Sequence, residues 1–343
     1  MRSIVFDQLG AADSVLRLVE REVPEPAAGE VRIRVVVSGM NPTDWKARTG
    51  LYGGEVVESV PNQDGSGVVD AVGEGVDGLA VGDRVWTSLA AYQRPSSGTA
   101  QEYTTVPAER VFPLGDASFE VGASVGIPAI TAHRALTVAE DGPRRLSPGA
   151  LDGKIVLVAG GAGAVGHAAI QLARWAGATV ITTVSPGKIG LAEAAGAHHI
   201  VNYREDDAAE QIRSFAPDGV DLIVEVAAGA NNALDLAVLR LRGTIAIYAN
   251  DGNQPFELDI RANMGLNARY QFVLLYPLPT EILRAAGDDV SAAIAAGVLA
   301  IGDEAGLPLH RFPLAETAAA HQAVEAGATG RCSSRSRRAE PVR

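Results

Sequence analysis

The hydrophobic rhythm of the 343-residue chain changes about a third of the way along. In Glu30–Ser38, Val31, Ile33, Val35 and Val37 alternate with Arg32, Arg34, Val36 and Ser38. That period of two predicts a half-buried strand. Ser3–Asp7, Val15–Val23, Gly65–Val72 and Asp83–Thr87 read as further short strands, separated by Pro- and Gly-rich punctuation such as Arg21–Glu30. Asn41-Pro42 signals a turn, and Thr43 or Asp44 can cap a short helix over Trp45–Arg48. Short strands with frequent turns predict a partly closed β-barrel.

From about Ile127 the texture is different. A helix is expected over Ile130–Val138, then a polar loop over Glu140–Gly153. Apolar runs at Ile155–Val158, Thr179–Val184, His199–Val201, Leu222–Val226, Thr244–Tyr248 and Tyr270–Leu275 then alternate with helical segments that end at Trp175, Ala195, Phe215 and Leu239. Near-continuous apolar strands alternating with helices predict an α/β, doubly wound parallel sheet of Rossmann type. Two more helices and an extended piece at Leu309–Phe312 are expected within Pro279–Ala326.

Composition narrows the function. A net charge of -12 argues against a general nucleic-acid or anionic-membrane binder, both of which need a basic face. No stretch is long and apolar enough to span a bilayer, and MRSIVFDQLG has no signal-peptide core. Cys332 is the sole cysteine, so there is no disulfide framework and no cysteine metal cluster. A soluble, cytoplasmic protein is the expectation. The last residues, RCSSRSRRAEPVR (331–343), are basic and poor in apolar residues, which predicts a disordered tail.

The chemistry starts at KIVLVAGGAGAVG, Lys154–Gly166. Gly161, Gly163 and Gly166 have the G-x-G-x-x-G spacing between a strand and a helix. The first glycine is expected to permit the turn, the second to let backbone approach a pyrophosphate, and the third to let helix pack on strand. With Ala162, Ala164 and Val165 they place amides and a helix dipole around the phosphates. The second strand of this unit ends in Ser185-Pro186-Gly187-Lys188, where NAD enzymes carry an acid for the ribose. A hydroxyl and an ammonium there suit a 2′-phosphate, and Tyr203 offers a further donor, so NADPH is expected. The six histidines show no metal-ligand spacing.

Pro61–Val85, Gly126–Leu136, the glycine loop and Gly196–Glu205 together resemble the medium-chain dehydrogenase/reductase superfamily. Within it the chain is similar to the zinc-free quinone oxidoreductases related to zeta-crystallin, from the N-terminus to about Gly330. Zinc alcohol dehydrogenases of the superfamily carry His-Glu where this chain has Gln63-Asp64, so the resemblance implies no metal. It implies a GroES-like, partly open barrel domain over 1–125 and 276–343, and a Rossmann NADPH-binding domain over 126–275. It nominates Asn41 and Tyr52 as catalytic, Thr131, Asn250 and Phe272 beside the nicotinamide, and Lys46, Tyr52, Tyr92 and Arg94 with Asn41 around the substrate. Glu225 either binds a ribose or caps the helix near Asn231. A homodimer joined through the cofactor sheets is implied as well.

Without a Lewis acid, conjugate hydride addition to a quinone or enone suits such a site, because charge delocalises onto an oxygen that donors can hold. Two alternatives stand beside that reading. One is an enoyl-thioester reductase of polyketide or fatty-acid type. The other is an NADPH-binding structural or regulatory protein.

Overall fold

Val31, Ile33, Val35 and Val37 are all buried along one strand, as their alternation requires. This and every following observation comes from a computed structural model that describes residues 1–53, 56–205 and 207–336. The amino-terminal elements are β1 (Arg2–Val5), α1 (Ala12–Val15), β2 (Arg17–Glu20), β3 (Glu30–Gly39), α2 (Pro42–Arg48), β4 (Asp64–Val72), β5 (Arg84–Thr87), β6 (Tyr103–Pro107) and β7 (Val111–Pro113). Pro42 opens α2, and Asn41 and Asp44 form a reciprocal capping box there. Val31, Ile33, Val69, Val85, Val106 and Val111 make the core beneath the sheet, with Trp86 stacked on Phe112 at 4.5 Å.

α3 (Phe119–Leu136) is 18 residues long and starts well before the expected Ile130. Beyond it come β8 (Ile155–Ala159), α4 (Ala164–Trp175), β9 (Thr179–Val184), α5 (Ile189–Ala195), β10 (His199–Asn202), α6 (Ala208–Phe215), β11 (Val220–Glu225), α7 (Ala228–Val238), β12 (Leu239–Ile247), α8 (Ile260–Leu266), β13 (Arg269–Phe272) and α9 (Thr280–Ala295). The six strands are parallel in the order β10-β9-β8-β11-β12-β13. The order reverses between β8 and β11, the switch point at which such sheets bind ligands. Leu157, Ile181, Ile223 and Ile245 are buried under helix residues such as Ile212 and Val238, which is why these strands read as unbroken apolar runs.

The chain then returns to the first sheet with β14 (Leu309–Pro313), α10 (Thr317–Glu325) and β15 (Arg331–Arg335). β15 lies between β14 and β3, and the sheet runs β14-β15-β3-β4-β5-β7; β6 pairs with Glu30–Arg34 of β3, on the same edge that β15 takes at Val37–Gly39. The expected disordered tail is therefore corrected over residues 331–336. Ser333 and Ser334 are buried and pair with Gly39 and Ser38. The remainder of that tail, from residue 337, lies outside the described residues.

Two units emerge, Met1–Ile127 with Pro308 onward, and Pro128–Leu307. The expected boundary at 275/276 moves to 307/308 because α9 is bonded into the cofactor unit. Its Asp289 takes His133 Nε2 at 2.8 Å and the Leu146 amide at 2.8 Å, and Ala305 O meets His167 Nε2 at 2.7 Å. Among the described residues no helix is long and apolar enough to cross a membrane.

One buried histidine gives the first unit a pH dependence. His321 on α10 meets Asn62 Oδ1 at 2.9 Å through Nε2, and burial, with the nearby Arg48 cation, pushes its pKa down to about 3. The unfolded chain takes up that proton near 6.5. Stability is thus full above that pH and is lost as pH falls toward the folded value. His321→Gln keeps a donor for Asn62 and removes the titration. The urea midpoint of the parent should fall more steeply below pH 6.5 than that of the variant.

Candidate functional site

The glycine loop closes β8 at the switch point. Gly160, with φ 69°, is the left-handed residue of the turn, a role the spacing had given to Gly161. Gly161 is buried, and a Cβ on it would overlap Thr182 Oγ1. Gly163 is the N-cap of α4, is exposed, and has no neighbour closer than 3.4 Å to a would-be Cβ. A Cβ on Gly166 would overlap the carbonyl of Gly160, so helix and turn touch backbone to backbone there. The first bond of α4 runs from His167 N to Gly163 O at 2.7 Å. The preceding amides of Ala164, Val165 and Gly166 have no acceptor within the helix. Ala162 is buried behind them. An exposed turn of free amides with an open face at Gly163 fits a pyrophosphate.

Around it the strand ends supply the other nominated residues. Ser185 follows β9 and precedes a 3₁₀ turn, Pro186–Lys188, in which Lys188 is exposed. Tyr203 follows β10, 45% exposed, with the Arg204 guanidinium 5.9 Å from its ring centre. The turn Ser185–Lys188 carries no acid, and neither Ser185 nor Lys188 forms an ion pair among the described residues. Phe272 ends the edge strand β13 and is 66% exposed. Asn250 is less free than expected: its Oδ1 accepts from Gly229 N at 2.9 Å and its Nδ2 donates to Gln254 O at 3.0 Å. Glu225 is turned inward and acts as a cap. It accepts from the Ala227 amide and, at 3.0 Å, from Asn231 Nδ2, and burial raises its pKa beside the equally buried Asp235. Thr131 is buried on α3.

In the first unit the nominated Asn41 belongs to a buried charge network. Its Nδ2 donates to Asp64 Oδ2 at 2.7 Å and its Oδ1 accepts from the Arg331 guanidinium at 2.7 Å. Asp64 also accepts from Ile127 N at 2.9 Å and Ser88 Oγ at 3.2 Å, with Arg331 3.6 Å away. Arg331 donates further to Ala123 O at 3.1 Å. Asp44 accepts the Asn41 amide at 2.7 Å. Burial pushes Asp44 up to about 8, and burial raises Asp64 too, although Arg331 and the Asn41 amide oppose that rise. Asn41 is 2% exposed. Both polar atoms of the Asn41 side chain are thus engaged within the protein.

Tyr52 lies beyond α2 and is 61% exposed. Partial burial, then the Asp44 charge, raise its phenol further above neutrality, so it is a proton carrier and not a base at pH 7. Lys46 Nζ stands 5.8 Å from the Trp45 ring centre. Arg94 is turned to Glu30 in an ion pair and to Ser97 Oγ at 3.2 Å. Tyr92 is half-buried, and its loop is pinned by Arg110 donating to the Leu89 and Tyr92 carbonyls at 2.8 and 3.0 Å. The sequence reading missed Arg331, Asp64 and Ser88 as site residues. In the sequence Arg331 is only the first residue of the basic stretch 331–343, with nothing to set it apart from the other arginines there.

Zinc does not fit this arrangement. No three of His, Cys, Asp and Glu come together among the described residues, and the Asp64 carboxylate is taken by three donors, Asn41 Nδ2, Ser88 Oγ and Ile127 N, with a guanidinium alongside.

Residues 27–116 match the alcohol dehydrogenase GroES-like domain family and residues 164–283 the zinc-binding dehydrogenase family. With a parallel dinucleotide-type sheet and a GroES-like sheet, they define a medium-chain dehydrogenase/reductase. The quinone oxidoreductases of Lama guanicoe and Homo sapiens are 32% and 30% identical to the chain, each over 96% of both proteins. A mycobacterial quinone oxidoreductase structure is 30% identical, with a TM-score of 0.81 over 98% of this chain and 99% of that one. A mycobacterial structure complexed with NADPH is 28% identical, with a TM-score of 0.80 over 98% of this chain and 100% of that one. The chain belongs to the quinone oxidoreductase family of that superfamily.

Proposed function

We propose that the protein is an NADPH-dependent, zinc-independent reductase of quinones or α,β-unsaturated carbonyl compounds. The observation that carries this reading is the saturated Asp64–Arg331 pair, where a metal-dependent relative needs open ligands. NADPH, when bound, supplies the hydride. The chain's share is to bind, orient and donate. The amides at the start of α4 take the pyrophosphate, and Ser185, Lys188 and Tyr203 take the 2′-phosphate. Thr131 offers a hydroxyl on the nicotinamide side. Tyr52, protonated at neutral pH, gives a proton to the reduced oxygen or carbon.

Turnover of NADPH and NADH against benzoquinones, naphthoquinones, 2-alkenals and crotonyl thioesters tests the reading. No turnover with any of them, despite NADPH binding, would remove it. Faster reduction of the crotonyl thioester than of any quinone would favour an enoyl reductase instead. Lys188→Glu should cut kcat/KM for NADPH by about tenfold to a hundredfold and leave NADH within about twofold, since one charge-assisted phosphate contact is at stake. Tyr52→Phe should lower kcat by about a hundredfold with KM nearly unchanged. An unaltered kcat would assign the proton to water.

The homodimer belongs to the same reading. β13 is an edge strand with Phe272 66% exposed, Leu274 after it is 60% exposed, and Ile260 and Met264 on α8 are each 71% exposed. Such an edge is a template for pairing with a second copy. Light scattering that gives a monomer at micromolar concentration would remove this part.

A further inference from the structure

The cofactor unit holds a second cleft, of about 560 Å³, where the end of α3 and the loop after it meet the first turn of α9. That volume is within the range of small-molecule sites. Ala139 and Gly142 on its border also border a hollow reached by Lys154, Asp221 and Arg269, which stand at the amino ends of their strands. The cleft is thus at the opposite edge of the sheet from the glycine loop.

Most charges around it are already matched. Asp289 is held near pKa 2, against burial, by His133, Arg145 and the Leu146 amide, so Arg145 is neutralised. Glu140 is paired with Arg269 at 2.8 Å. Arg134 and Arg144 are different, because no acceptor reaches either guanidinium among the described residues. Arg134 is partly buried, and burial alone acts on it, lowering its pKa with no partner to restore it. A half-buried guanidinium that faces a cleft with no protein acceptor can take an oxyanion, which its planar fork binds in two places. Val138, Ile282 and Ala285 give the cleft an apolar wall. Among the described residues Glu281 is the one unmatched carboxylate on the rim.

The geometry points to a second ligand site in the cofactor unit, built for a small organic phosphate: Arg134 and Arg144 hold the phosphate and the apolar wall receives the carbon body. Its place at the amino edge lets such a ligand bind together with the cofactor.

The full chain, saturated with NADPH to fill the cofactor site, is titrated calorimetrically with phenyl phosphate. Inorganic phosphate and benzoate are the comparison arms. One equivalent of phenyl phosphate should bind, more tightly than either fragment. Arg134→Gln should weaken it by about tenfold or more, and Glu281→Gln should tighten it by removing the opposing charge. Arg144→Gln, at an exposed position, carries the same reading should Arg134→Gln fail to fold. Lys188→Gln should leave the affinity unchanged. No binding to the parent protein overturns the site. So does unchanged affinity in the two arginine variants, or loss of binding in Lys188→Gln.

Discussion

Arg331→Ala is expected to lower the unfolding free energy by about 3–5 kcal/mol, the range for breaking a buried ion pair from one side. The residue is 3% exposed, and its guanidinium reaches Asn41 Oδ1, Ala123 O and the neighbourhood of Asp64. Removing it leaves a fully buried carboxylate with amide and hydroxyl donors but no cation. Asp64 then takes up a proton, and its bonds to Ile127 N and Asn41 weaken because a neutral carboxyl accepts less strongly. Asp64→Asn alone should cost a similar amount by stranding Arg331. The double variant should cost clearly less than the two single losses together, since the second change removes a charge already orphaned. Urea unfolding of the four proteins checks this, and strictly additive losses would show that Arg331 and Asp64 do not act as a pair.

The second large effect separates cofactor binding from stability inside one loop. Gly163→Val should weaken NADPH binding by about a hundredfold or more, the equivalent of two charge-assisted bonds, with little change in Tm. Gly163 has φ -81° and its would-be Cβ meets nothing closer than the Gly160 carbonyl oxygen at 3.4 Å, an ordinary contact, so the fold accepts a side chain there, but the side chain then stands over the amides of Ala164 and Val165. Gly166→Ala should do the reverse. Its Cβ collides with the Gly160 carbonyl, and overpacking of that kind costs about 1–3 kcal/mol before any ligand is added. Fluorescence titration with NADPH and a thermal scan of both variants give the two readouts. Equal loss of Tm in both would mean that Gly163 is held as tightly as Gly166.

The parallel strands were legible because each is apolar on both faces, as Val156, Leu157 and Val158 show by being wholly buried. β3 was legible for the opposite reason, its strict alternation. The first half of α3 was not, because Gly122, Gly126 and Pro128 read as breakers. In the fold these glycines are a matter of approach. A Cβ on Gly122 would lie 2.7 Å from Ser66 Cβ, and one on Gly126 would strike the Asp64 carboxylate. β15 was illegible because RCSSR has no hydrophobic alternation. Its residues are small enough to be covered, and Arg331 is tolerated through its three polar neighbours. The glycine loop and the acid-free turn at Ser185 were visible in the sequence. The Asn41–Asp64–Arg331 network was not, since it joins residues 290 positions apart.

The insertion of β15 between β14 and β3 also sets an order of assembly during synthesis. Pro128–Leu307 is one continuous segment and can fold as soon as it leaves the ribosome. The first unit must keep the Val37–Gly39 end of β3 unpaired on the side that β15 will take while that whole segment is made, and it closes only when residues 331–335 emerge. Until then Gly39, Ser38 and Val37 have no partner on that side, and their free backbone is an invitation to a chaperone or to another nascent copy. A ribosome stalled shortly before that point should therefore carry a protease-resistant cofactor unit and a protease-sensitive amino-terminal one.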